Sequence, residues 1–133
     1  MGAFSNAVET AVLNHILGNA AYTQPAGQFV ALFTVMPGED GSGGTEAEWT
    51  GYERQAASFG NASAGNPSTC ANDAEVDFGD PDEDLELVGF GIYTADTGGT
   101  LMILQAFDEP VIVQAAVTEA VAFPVGALVV ELD

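Results

Sequence analysis

The chain has 133 residues, of which twenty are acidic, one is Arg, one is His and none is Lys, giving a net charge of -19. That length suits one domain with its own core, and a hydrophobic content of 47% excludes an acidic disordered tail. The lack of cations excludes nucleic acid and anionic membranes as partners, and a single cysteine, Cys70, excludes an internal disulfide or a cysteine zinc cluster.

Residues 4–17, "FSNAVETAVLNHIL", predict the one helix. Val8, Val12, His15 and Ile16 share a face at helical spacing. Ser5 or Asn6 can cap its start, with Glu9 three residues after Asn6 as in a capping box. Gly18 and Asn19 are stop signals. Leu13 and Leu17 widen the apolar sector, which predicts contact with the domain on one side and with a partner on the other. His15 is expected to be partly buried and hydrogen-bonded. The N-terminus shows neither a cationic flank nor a continuous apolar core segment, so no signal peptide is expected. No apolar run approaches the length of a membrane span.

A connection over residues 19–26 leads to a strand over 27–35 and then a long Gly- and acid-rich loop over 36–51. Residues 52–59 predict a strand with Tyr52, Arg54 and Ala56 on one face. Residues 60–73 are small and polar, suited to a loop or a loosely built strand pair. Further strands are predicted over 74–79, 85–95, 99–107, 109–118, 120–124 and 127–133. "DTGG" (96–99) is a hairpin signal, since glycine readily adopts positive φ, and "PVGA" (124–127) is the turn before the last strand. The glycines in "GFGIY" predict bulges or close approach of another backbone. One helix followed by short strands, with no crossover helices, predicts a mainly β chain. The expected architecture is an antiparallel, jelly-roll-like β-sandwich with one N-terminal α-helix. It forms a single domain over 1–133, with the helix within 1–18 and the strands within 27–133.

Asp80, Asp82 and Asp84 form D-x-D-x-D, the opening of a helix-loop-helix calcium loop. Such a loop requires Gly at its sixth position and Glu at its twelfth, where this chain has Leu85 and Gly91. A looser calcium site on Asp80, Asp82 and Asp84, with Asp77 nearby, stays open beside the reading as an exposed, solubilising loop. "GEDGSGG" (38–44) is no phosphate loop, because no Lys follows and its acids repel phosphate. A single His cannot supply a nucleophile with both a base and an orienter, so no catalytic residue is assigned and an enzyme is not expected. Arg54, the one strong cation, is expected to pair with a carboxylate from a neighbouring strand or subunit. Trp49 and Tyr52 are expected to pack in a core or interface.

Several stretches stand in a familiar order. "FSNAVETAVLNHILGNAAYTQPAGQFVALFTVMPGEDGSGGTE", then Tyr52-Glu53-Arg54, "VGFGIYTADTGGTLMILQAF" and "FPVGALVVELD" together resemble a family of small tail-fibre-like or minor virion structural proteins of tailed bacteriophages. The resemblance spans nearly the whole chain except residues 60–86. It implies a β-sandwich module that decorates a virion and carries no catalytic residues. The charge of this chain departs from the family pattern. Self-repulsion at -19 should weaken the fold at low ionic strength, and a saline setting, marine or halophilic, relieves it most simply. Bound divalent cations and a basic partner surface are the other two ways.

The expected function is that of a virion structural protein, an oligomeric component on the head (cement, turret or spike base) or on the tail or fibre. Its partners would be itself, with a trimer favoured, and other virion proteins. Val8, Val12, Leu13, Ile16 and Arg54 are the interface candidates. The alternative is a carbohydrate- or calcium-binding β-sandwich using Trp49, Tyr52 and Tyr93. No cofactor is assigned beyond that calcium.

Overall fold

The computed structural model describes residues 2–132. Met1 and Asp133, which the predicted domain and last strand include, lie outside the described residues. Phe4 does not open the helix: Gly2–Phe4 form a strand, β1, with Phe4 opposite Ile103. A strand of three residues is too short to show a period of two, so Phe4 reads as helix from sequence. The helix, α1, runs Asn6–Ile16. Ser5 lies between them in extended backbone and is the cap; its Oγ accepts from the Val8 N–H at 3.4 Å. With Ser5 as the cap, Glu9 falls one position too late for a capping box.

The other strands are β2 (Phe29–Val35), β3 (Thr45–Glu46), β4 (Gln55–Ala56), β5 (Ser68–Ala71), β6 (Val76–Asp77), β7 (Leu85–Tyr93), β8 (Leu101–Val113), β9 (Ala122–Phe123) and β10 (Val129–Leu132). The main sheet runs β1-β8-β7-β2-β3, with β4 also on β2. Two ribbons, β5-β10 and β6-β9, complete the strand set, and every pairing is antiparallel. The chain is therefore mainly β and antiparallel with one N-terminal helix, as its pattern predicts, and its smaller strands are grouped into two ribbons.

Two predicted elements change. The strands expected at 99–107 and 109–118 are one strand, β8. Its pairing with β7 jumps from Gly89 opposite Ala106 to Leu87 opposite Val111. Residues 107–110 are thus looped out against Val88, and Pro110 needs no ladder bond there. The strand expected at 52–59 forms a ladder at β4, and Phe59 bridges Asn72 beyond it. Its first half is held instead by the side chains of Tyr52 and Arg54.

The core fills the space between the main sheet and the two ribbons. Alternation on β2 sends Val30 and Leu32 to it, beside Phe90, Ile92 and Met102. Val76, Phe78, Val121, Phe123, Leu128 and Val130 close it from the other side. On the opposite face of the sheet, Ala31 and Phe33 stand across from Gly91 and Gly89. These two glycines leave room for neighbours to lie flat on the sheet. A Cβ on Gly91 would meet the Phe33 ring at 2.7 Å and Leu101 at 2.9 Å. A Cβ on Gly89 would meet the Gln105 carbonyl oxygen and Met36 Sδ, each at 2.5 Å. Gly89→Ala should therefore force β7 from β8. We expect a loss of about 2 kcal/mol and a Tm lower by roughly 8 °C in thermal unfolding followed by circular dichroism.

Candidate functional site

α1 meets β1 and β8 through the first half of its apolar face. Val8 lies in the core and Val12 packs half-buried against it. The second half is uncovered: Leu13 is 59% exposed, and Ile16 and Leu17 are each 70% exposed. His15 is exposed rather than partly buried. It is hydrogen-bonded, its Nδ1 accepting from the Tyr22 N–H at 3.1 Å, which ties the chain after the helix back to its last turn.

Arg54 finds its carboxylate on the neighbouring strand β3. Its Nε and Nη2 donate to the two oxygens of Glu46 at 3.0 to 3.3 Å. Its Nη1 donates to the Ala95 and Gly98 carbonyls at 3.2 and 2.8 Å, and its Cζ lies 3.6 Å from the centre of the Tyr93 ring. One side chain thus fastens the β7-β8 turn to β3, using the planar fork of donors that only Arg provides. Tyr52 completes the clamp: its hydroxyl donates to Glu46 Oε2 at 2.8 Å and accepts from the Leu32 N–H at 3.0 Å. Burial pushes the Tyr52 phenol far above its ordinary range, and the Glu46 carboxylate adds to the shift. Tyr93 is also raised by burial, with Arg54 opposing.

The aromatic rings are already engaged. Trp49 is buried and meets Tyr52 edge-on at 4.9 Å, and Tyr52 stacks on Phe78 at 6.0 Å. Cys70 is half-buried, with its thiol donating to the Gly60 carbonyl at 3.0 Å.

The acidic stretch before β7 binds backbone. Asp82 Oδ1 accepts from the Thr50 N–H and Asp84 Oδ1 from the Ala115 N–H, each at 2.9 Å. These carboxylates pin two separate loops, and Asp80 is exposed. Among the described residues, no three His, Cys, Asp or Glu side chains converge as metal ligands. Hydrogen bonding to Thr50 holds the Asp82 carboxyl below the usual carboxylate range. A carboxyl shifted down contributes stability above its unfolded pKa and loses it as pH falls through the folded value. We expect the Asp82 carboxyl carbon, followed by NMR, to titrate below the usual range, and Thr50→Pro, which removes the N–H, to return it there.

A family model described as "Podophage GP4 fiber I protein gp80" matches residues 3–131. The chain belongs to this family of phage fibre proteins. No curated protein matches it. As a member of a fibre family, the chain is a structural protein of a tailed-phage virion and associates with other virion components. The fibre protein owes part of its rigidity to a residue that sequence reading passes over. Asn72 is 2% exposed. Its Nδ2 donates to the Ala74 and Pro124 carbonyls at 2.9 and 3.0 Å, and its Oδ1 accepts from the Leu128 N–H at 2.9 Å. A lone Asn in a small polar stretch gives no periodic signal, so only the fold marks it.

Proposed function

We propose that this chain is an adhesive module of the phage fibre that works as a homo-oligomer, with a trimer favoured, and joins the fibre to its neighbours. The observation that carries this reading is the uncovered second half of α1. Leu13, Ile16 and Leu17 expose apolar surface on a chain whose net charge of -19 would otherwise keep it dispersed. The family's description favours the fibre over the head as its place. Acidic loops face solvent, and symmetric closure hides what one domain leaves open. Antibody raised against the chain should label the fibres of intact particles. Sedimentation of the purified protein in about 0.5 M NaCl, where charge is screened within a few ångströms, should give one oligomeric species. Label confined to the head, or a monomer at every salt concentration, would overturn it.

A further inference from the structure

The charges of this chain are unevenly placed. Residues 10–38 and 55–72 contain no Asp, Glu, Lys or Arg, although twenty acids are distributed over the rest. The two segments are far apart in sequence, and the fold sets them side by side. The Ala57 N–H donates to the Gln28 carbonyl at 2.9 Å, and both segments wall one cleft of about 290 Å³. Tyr22 and Pro25 come from the first segment, Phe59 and Cys70 from the second, and Ile103 and Leu132 from β8 and β10. Among the described residues, no charged side chain lines the cleft. The bond from Tyr22 to His15 joins the cleft wall to the last turn of α1, where Leu13, Ile16 and Leu17 stand exposed. Uncharged cleft and apolar helix end are parts of one face.

We propose that this charge-poor face is where a second copy of the chain docks, with Leu13, Ile16 and Leu17 of one copy seated in the cleft of the next. This names the surface and partner of the homo-oligomer proposed above and rests on that reading. The reason is electrostatic. Two copies that meet through the acid-rich segments 39–53 and 73–86 bring carboxylates against carboxylates, which costs both affinity and encounter rate. On this face like charges are few, with exposed Glu9 one turn before Leu13 at its edge, and apolar burial supplies the attraction. A cationic partner would be drawn to the acidic remainder instead, so the charge-poor face selects a surface as poor in charge as itself. Copies joined in this way, each helix end in the cleft of the next, close into a ring when the rotation between them allows.

Salt should strengthen this contact. Raising NaCl from about 0.05 to about 0.5 M screens repulsion between the acidic remainders and should tighten self-association by about tenfold or more. The variant Leu13→Glu/Ile16→Glu/Leu17→Glu changes only exposed side chains, so its circular dichroism should match the parent. Its self-association, read by sedimentation equilibrium in about 0.5 M NaCl, should weaken by about 100-fold or more. Ile112→Glu and Val125→Glu, also exposed and apolar but outside the face, should leave it unchanged. As a second measurement, Leu17→Cys should cross-link through a short bis-maleimide to Cys70 of the neighbouring copy, and adding Cys70→Ser should abolish the product. An oligomer that survives the triple change, or in which the thiol introduced by Leu17→Cys does not cross-link to Cys70, overturns this face and leaves the homo-oligomer standing. A parent protein that stays monomeric overturns both.

Discussion

Replacing Arg54 by Met should cost about 3 kcal/mol of folding stability. Met retains the length of the side chain and cover for the Tyr93 ring, so the loss reports the polar bonds. Three groups lose their partner at once, Glu46 Oε1 and the Ala95 and Gly98 carbonyls, while Glu46 Oε2 keeps the Tyr52 hydroxyl. The figure sits at the low end for a broken ion pair because the Glu46 side chain is 27% exposed and can take up water. Arg54→Lys should recover less than half of the loss, since an ammonium group cannot span Glu46 and the turn carbonyls together. Arg54→Met combined with Glu46→Leu should be milder than the sum of the single changes, because no carboxylate is then left without its cation. Urea unfolding of the parent, the two Arg54 variants, Glu46→Leu and the double variant measures this, and hydrogen exchange of the 95–98 turn should rise in Arg54→Met. Equal stability of parent and Arg54→Met would show the clamp to be idle.

A comparable effect is expected at Asn72. Asn72→Leu is close in size and strips the Leu128 N–H and the Ala74 carbonyl of their partners, while the Pro124 carbonyl keeps the Ala127 N–H. A buried polar group without a partner costs about 1–3 kcal/mol, and with the Leu128 N–H buried and Ala74 exposed the change should cost about 3 kcal/mol and lower the urea midpoint by roughly 1.5 M. Among the described residues no buried side-chain polar atom lacks a hydrogen bond, so the parent stores no compensating defect. Asn72→Asp keeps an acceptor for Leu128 but turns a carboxylate toward the Ala74 and Pro124 carbonyls. It should therefore be no better than Asn72→Leu at neutral pH. A midpoint shift below about 0.5 M, or roughly 1 kcal/mol, for Asn72→Leu would show that water replaces the lost bonds.

These two sites differ in how far they can be read in advance. Arg54 stands out because it is the one strong cation among twenty acids, so a carboxylate partner follows from composition. Which acid it takes does not follow: Glu46 lies in β3, two residues of strand inside what reads as a long loop. Asn72 has no such signal, and its partners lie up to 56 positions away. The acids of the D-x-D-x-D run show the same divide. Their residue type invites a calcium reading, and only the fold shows that Asp82 and Asp84 accept from the Thr50 and Ala115 amides.

Periodicity and turn chemistry act over a few residues, and what depends on them is legible. The sequence by itself determined the helix to within two residues at either end, the β2 and β7 alternation, the turn after β7, the mainly β class and the charge that limits the partners. Only the tertiary structure decided that Phe4 is a strand, that β8 runs through Pro110, that Glu46 holds Arg54, and that Asn72 bridges to the chain before β10. It also decided that two uncharged segments share one cleft. Each of these depends on residues distant in the chain meeting in space, and local pattern carries no record of which distant segment will arrive.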